Sequence, residues 1–136
     1  MMLCDTGPMV AMVDRDDPHH SRCLAALATL PPDGFVTTWP CLAEAMYLLG
    51  SRIGFAGQDA LWDLVADSTI SLDLPEGGEW GYMRELMRQY EDAPMDLADA
   101  SLVAAAERLN LRRVFTVDRH FRAYRIQGRH AFDVVP

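Results

Sequence analysis

No lysine occurs anywhere in this chain; all 12 of its basic residues are arginines. That absence closes every mechanism built on an amine, including the phosphate-binding loop that ends in GK[ST], Schiff-base chemistry and the Ser-x-x-Lys nucleophile. Cysteine is scarce and odd in number. Cys4, Cys23 and Cys41 show no C-x-x-C spacing, which argues against a disulfide framework or a structural zinc site and for buried free thiols in a reducing compartment. Long apolar runs are missing as well. Nothing approaches the roughly 18 to 20 apolar residues of a membrane span. The N-terminus lacks the basic region and apolar stretch of a signal peptide. These absences point to a soluble, cytoplasmic protein with no membrane partner.

Positive charge as a whole is in short supply, with 20 acids giving a formal net charge of −8. Phosphate binding normally uses positive charge, so at face value this balance argues against a nucleic-acid partner. The excess is uneven, however. Residues 1–99 hold 17 acids and 5 arginines, whereas residues 100–136 hold 7 arginines and 3 acids.

Half of the 136 residues are hydrophobic. That is enough for one domain of this length to bury a real core, and too much for a disordered chain. Short apolar runs alternate with segments of helical period. Met2–Asp5 reads as a brief strand ending on an acid. Phe35–Thr37, Ile70–Leu74 and Arg113–Val117 read as further strands, and Ala131–Val135 as an edge strand. Between them the period predicts helices over Met9–Val13, His19–Leu30, Pro40 to about Leu49 with a stop at Gly50, Gln58–Asp67, Trp80–Tyr90 and Asp96–Leu109. Thr37 or Thr38 is placed to cap the third of these. Pro31-Pro32-Asp33-Gly34 is a strong breaker, and Phe121–Tyr124 a short turn. Strands separated by helices predict an α/β fold with a mostly parallel sheet of four to five strands, covered on both faces. No repeat or linker divides the chain, so residues 1–136 read as a single domain.

Several acids fall where strands end or the following helices begin. Asp5 closes the first strand, Glu44 lies early in the helix after the second, Asp96 and Asp99 start the long helix, and Asp118 closes the VFTVD strand. In an open parallel sheet, ligands bind at the carboxyl ends of the strands, so these acids have a common crevice available to them. Several carboxylates within a few ångströms cannot all stay ionised without a compensating cation. Their hard oxygens suit Mg²⁺ or Mn²⁺, which can activate water and stabilise an in-line displacement at phosphorus. Plainer readings exist for each: Asp5 as a strand end, Glu44 as an exposed helix residue, Asp96 as an N-cap. Asp14, Asp16, Asp17, Asp59, Asp63, Asp67, Glu76, Glu79, Glu85 and Glu91 read as solvated surface. Trp39, Trp62 and Trp80 read as core or interface, and His120 as a solvent-facing loop residue.

The opening LCDTGPMVAMVDRDDPHH, the helix with Glu44, the segment PMDLADASLVAAAERL and the ending VFTVDRHFRAYR together resemble PIN-domain proteins, and among them VapC-type toxins. The resemblance spans nearly the whole chain. It implies an α/β/α sandwich and a Mg²⁺- or Mn²⁺-dependent endoribonuclease hydrolysing RNA phosphodiester bonds. It places the catalytic and metal-binding acids at Asp5, Glu44, Asp99 and Asp118, with Asp96 as an extra acid able to bind metal through water. The family's supporting hydroxyls fall on Thr6 and Thr116. It also implies a cognate antitoxin as partner, and a homodimer. Arg112, Arg113, Arg119 and Arg122, with Arg125 and Arg129, are the candidates for RNA backbone, against a plainer reading as a solvated face.

Two other acidic α/β enzymes are excluded by single residues. A HAD-like phosphatase needs an Asp two positions after the first, where Gly7 stands, and a receiver domain needs a late Lys. A non-catalytic PIN-like module that holds RNA or protein, and a DNA-directed nuclease of the same fold, are the alternatives. Formally, four ligand carboxylates and two divalent ions cancel, so the charge of −8 does not by itself exclude RNA.

Overall fold

The first strand, β1 (Met2–Cys4), is buried at every residue, as a strand in a covered parallel sheet must be. The computed structural model describes residues 1–30 and 33–136; the expected break at Pro31-Pro32 lies outside them. On one side β1 pairs in parallel with β2 (Phe35–Thr38), Met2 opposite Phe35. On the other it pairs with β4 (Arg113–Phe115), Cys4 opposite Phe115. Beyond β2 lies β3 (Ile70–Asp73), and beyond β4 lies β7 (Asp133–Val135), giving a five-stranded sheet of order β3-β2-β1-β4-β7 with every pairing parallel. The chain thus winds outward from β1 through β2 to β3, then returns to lay β4 on the opposite side of β1. That reversal opens a crevice at the carboxyl ends of β1 and β4.

Among the described residues six α-helices connect the strands: α1 (Thr6–Val13), α2 (His20–Leu27), α3 (Trp39–Arg52), α4 (Phe55–Ala66), α5 (Glu79–Gln89) and α6 (Leu97–Leu109). The first four pack on one another, while α5 packs on α6 and α6 reaches both α3 and β2. Ala98 to Ala106 in α6 are buried without interruption. Alanine suits this helix twice over: it has the best helical propensity, and its small side chain lets neighbouring backbones approach. No helix among the described residues is long and apolar enough to cross a membrane.

The predicted α/β order is present, with differences that have local causes. α1 starts at Thr6 rather than Met9, because Asp5 caps it and Pro8 is tolerated in a first turn. α2 ends at Leu27, short of Leu30. α3 does not stop at Gly50. A Cβ there would come within 2.5 Å of Gln58 Nε2, which donates to Met46 O, so the glycine admits α4 rather than ending α3. Helix α3 runs instead to Arg52, ahead of Gly54 at φ +94°. The expected edge strand Ala131–Val135 divides. Ala131 joins an antiparallel ribbon of β5 (Arg125–Ile126) and β6 (His130–Ala131), and Asp133–Val135 alone reaches the sheet.

Some acids expected on the solvated surface are instead paired, and the tryptophans, read as core or interface, are not core. Asp14 is buried, facing Arg52 Nη1 at 3.4 Å, and the same guanidinium holds Asp17 at 2.8 Å. Glu79 is not a freely solvated acid either. Arg108 binds Asp73 through both Nη atoms at 2.9 and 2.5 Å and Glu79 through Nε at 2.9 Å, tying α6 to β3 and α5. Trp39, Trp62 and Trp80 lie outside the core, half or more exposed for Trp39 and Trp80. All three cysteines are buried and unpaired, as expected.

Candidate active site

Asp5 follows β1 directly, and its backbone N–H still continues the sheet ladder to Phe115 O at 2.9 Å. Its side chain caps α1: Oδ1 accepts from Thr6 N at 2.7 Å. Oδ2 accepts from the Thr116 hydroxyl at 2.7 Å. The carboxylate is therefore fixed by one donor on each oxygen, while remaining 7% exposed. Behind it, Cys41 Sγ lies 3.9 Å from Oδ1, its thiol pushed up to about 12 by burial and so kept protonated.

Asp99 occupies the first turn of α6. Asp96 is the N-cap, and the two form a reciprocal capping box: Asp96 Oδ1 accepts from Asp99 N at 2.8 Å, and Asp99 Oδ2 accepts from Asp96 N at 3.2 Å. Asp99 Oδ2 also accepts from the Tyr124 hydroxyl at 3.0 Å. Asp96 thus has a structural task at the site's edge.

Asp118 sits just past β4, capping a 3₁₀ turn over Arg119–Arg122 through His120 N at 2.9 Å. Thr116 joins it to Asp5. The Thr116 hydroxyl donates to Asp5 and accepts from Asp118 N at 3.0 Å. Gly7 permits the closure of α1 on this segment, since a Cβ there would meet Val117 Cγ2 at 2.6 Å.

Ligand-capable oxygens of Asp5, Asp99 and Asp118 lie within 4.8 Å of one another. Three carboxylates in such a space, two of them buried, are unfavourable when ionised. Burial, with the nearby Asp118 and Asp96, raises Asp5 to about 6 despite the lowering effect of its Thr116 and Thr6 hydrogen bonds. Burial and then the Asp96 charge raise Asp99 to about 7. All three donors are hard carboxylate oxygens with no nitrogen or sulfur ligand in the set, which fits Mg²⁺ or Mn²⁺.

Glu44 stands apart from this triad. It is exposed, and it is connected through Thr6, whose hydroxyl lies 3.2 Å from Cys41 O and 3.4 Å from Glu44 Oε2. It still lines the same cleft, of about 280 Å³, together with Asp5, Thr6, Asp96, Asp99 and Asp118. A larger apolar groove of about 440 Å³ beside Trp39, Leu72 and Met83 contains two acids, Asp73 and Glu79, both engaged by Arg108.

The structure divides the arginine candidates. Arg119 and Arg122 line a groove that begins at Thr116 and Asp118. Arg112 and Arg113 are at the far, amino-terminal end of β4, where Arg113 pairs with Asp133 at 3.5 Å and Arg112 O accepts from Asp133 N. Arg125 turns back onto the carbonyls of Arg122 and Tyr124. His120 lies half-exposed as expected, with Nδ1 2.9 Å from Asp118 Oδ1. Sequence reasoning missed two residues. Arg22, from α2, lines the same groove as Arg119 and Arg122, and no sequence signal marks it. Tyr124 was readable in part, because a tyrosine among apolar residues needs a partner for its hydroxyl.

A model of the PIN domain matches residues 2–127. The chain belongs to the PIN-domain family. Ribonuclease VapC26 of Mycobacterium tuberculosis is 30% identical over 139 residues, covering 99% of this chain and all of that protein. Among solved PIN-like structures, Mycobacterium tuberculosis VapC20, described as a sarcin-ricin loop cleaving toxin, superposes with a TM-score of 0.79 at 17% identity, covering 87% of this chain and 90% of that one. FitAcB from Neisseria gonorrhoeae superposes at 0.58 with 19% identity, covering 87% and 88%.

Proposed function

We propose that residues 1–136 form a single PIN domain acting as a Mg²⁺- or Mn²⁺-dependent endoribonuclease, the toxin of a toxin–antitoxin pair. The observation that carries this is the convergence of Asp5, Asp99 and Asp118 from three elements onto one cleft at the sheet's switch point. The family match and the VapC26 relative support the reaction and its RNA substrate.

When bound, such a cation neutralises charge developing on the phosphate and activates water for in-line attack. Asp5, Asp99 and Asp118 would hold it. Thr116 fixes Asp5 and the Asp118 backbone in one arrangement, and Asp96 fixes Asp99. Glu44, exposed on the cleft wall and oriented by Thr6, contributes through water. Arg119 and Arg122 receive the RNA backbone beyond Asp118. The exposed aromatics Trp39, Tyr47, Phe55 and Trp80 supply apolar area for a cognate antitoxin to cover and for a homodimer contact. The three unpaired thiols suit the cytoplasm.

Purified protein freed of antitoxin should cut RNA with Mn²⁺ or Mg²⁺, stop in chelator, and leave single-stranded DNA of the same sequence intact. Asp5→Asn and Asp99→Asn should abolish cleavage. Cleavage that persists in chelator or in both variants would remove the basis of this reading.

A further inference from the structure

Among the described residues Tyr124 is the largest fully buried side chain, and its hydroxyl contacts Asp99, a carboxylate that lines the cleft. The ring is held edge-on by Tyr90 and Phe121, with centroids 5.2 and 5.1 Å away, and Phe121 packs in turn on Phe132. This packing leaves the phenol one orientation. Its oxygen lies 2.7 Å from Pro94 O and 3.0 Å from Asp99 Oδ2. One group therefore touches both the loop that leads into α6 and the carboxylate on the first turn of α6.

Asp99 has two oxygens with unequal surroundings. Oδ2 faces two donors, Asp96 N and the Tyr124 hydroxyl. No donor reaches Oδ1 among the described residues. A carboxylate held through one oxygen is fixed in rotation, and its other oxygen is free for a cation. A phenol has a single proton to share between its two acceptors, and an ionised carboxylate is the stronger of them.

We infer that Tyr124 is a positioning residue for the metal centre: through Asp99 Oδ2 it orients Asp99 Oδ1 toward the oxygens of Asp5 and Asp118. The inference rests on the reading of that triad as a divalent-cation site. Partners that orient a ligating side chain typically contribute 10- to 100-fold to metal affinity. Tyr124 stands near the end of the VFTVDRHFRAYR segment, between the 3₁₀ turn and β5, so the chain leading into the C-terminal ribbon becomes part of the site's support.

The test is Mn²⁺ binding by calorimetry on wild type, Tyr124→Phe and Tyr90→Phe. Tyr124→Phe keeps the ring and removes only the hydroxyl. Tyr90→Phe removes a neighbouring hydroxyl that accepts from Arg125 N, with no contact to the acids. The expected result is a Kd for Mn²⁺ raised about 10-fold in Tyr124→Phe and unchanged in Tyr90→Phe. In RNA cleavage, Tyr124→Phe should need about 10-fold more Mn²⁺ for half-maximal rate and recover most of its rate at saturation. Unchanged Mn²⁺ affinity in Tyr124→Phe, or equal weakening in both variants, overturns the inference. Wild-type protein that binds no Mn²⁺ overturns both the inference and the metal site. Mn²⁺ binding with the expected variant pattern but no RNA cleavage supports the inference and sinks the ribonuclease reading alone.

Discussion

Asp5→Asn should make the metal-free protein more stable at neutral pH while abolishing its response to metal. Asp5 is 7% exposed, and its carboxyl is raised to about 6 from an ordinary value near 3.8. At a pH above both values, the folded state contains an ionised group it disfavours by roughly 3 kcal/mol. Asparagine has the same shape and no charge. Its amide oxygen can accept from Thr6 N, and its amide nitrogen can donate to the Thr116 hydroxyl. The main change is therefore removal of the charge.

The pH dependence follows from proton linkage. Below about pH 4, Asp5 is protonated in folded and unfolded chains alike and contributes nothing. Between pH 4 and 6 the unfolded chain has released the proton and the folded chain still holds it. Wild-type stability should fall across that window by up to about 1.4 kcal/mol per pH unit, and then level off. Asp99, raised to about 7, extends the decline in the same direction. For a chain of this size, 3 kcal/mol corresponds to about 10 °C in Tm. In chelator, Asp5→Asn should thus melt up to about 10 °C above wild type at pH 7.5 and equal to it near pH 4. Saturating Mn²⁺ should raise the wild-type Tm at pH 7.5, by about 2.7 kcal/mol of stability at 100 times Kd, and leave the variant unmoved. Thermal melts followed by circular dichroism, with and without chelator, measure all of this. A variant that melts at or below wild type at pH 7.5 in chelator would refute the claim that the triad is electrostatically strained without a cation.

Arg108→Ala should destabilise the fold by about 2 to 3 kcal/mol, less than a fully buried pair because the guanidinium is 20% exposed; the denaturant midpoint reads it, and an unchanged midpoint would show the Asp73 and Glu79 contacts to be idle. Arg119→Ala and Arg122→Ala should each weaken RNA binding and lower the slope of log affinity against log salt by about 1, while Arg113→Ala leaves both unchanged. Fluorescence anisotropy on the cleavage-dead Asp99→Asn protein tests this, and an Arg113 effect equal to that of Arg119 would contradict the placement of the groove.

Much of the site was legible because its acids mark structural joints as well as chemistry. Asp5, Asp96 and Asp118 each accept a backbone N–H at the start of a helix or 3₁₀ turn, so the local signals for caps and strand ends coincide with acids that line the cleft. Periodicity was equally informative for α6, where length and alanine content leave no competing pattern. It misled at Gly50, because a glycine that admits a neighbouring helix looks like one that ends its own. For the tryptophans it left core and interface open, since hydrophobic identity says nothing about which helix face meets the sheet; their exposure removes the core alternative. Glu44 shows the limit of motif logic: its position in the chain was marked, but its exposure and its distance from the triad depend on how α3 packs against α1. Tyr124 was marked only as a hydroxyl in need of a partner, because that partner lies 25 residues away, and Arg22 faces a groove about 100 residues further along the chain, which no local pattern encodes.

The net charge of −8 fails as a guide to partners because charge acts locally. Arg52 engages Asp14 and Asp17, and Arg108 engages Asp73 and Glu79, so four acids have an arginine partner and half of their charge is offset where they stand. The triad differs: among the described residues no arginine pairs with Asp5, Asp99 or Asp118. Hydrogen bonds from Thr6, Thr116, Asp96 and Tyr124 hold these carboxylates in place without neutralising them. A fold that pairs its structural acids with arginine but holds Asp5 and Asp99 through backbone N–H and hydroxyl donors keeps their charge available to a cation, and it keeps Arg22, Arg119 and Arg122 uncommitted to that cluster on the neighbouring groove.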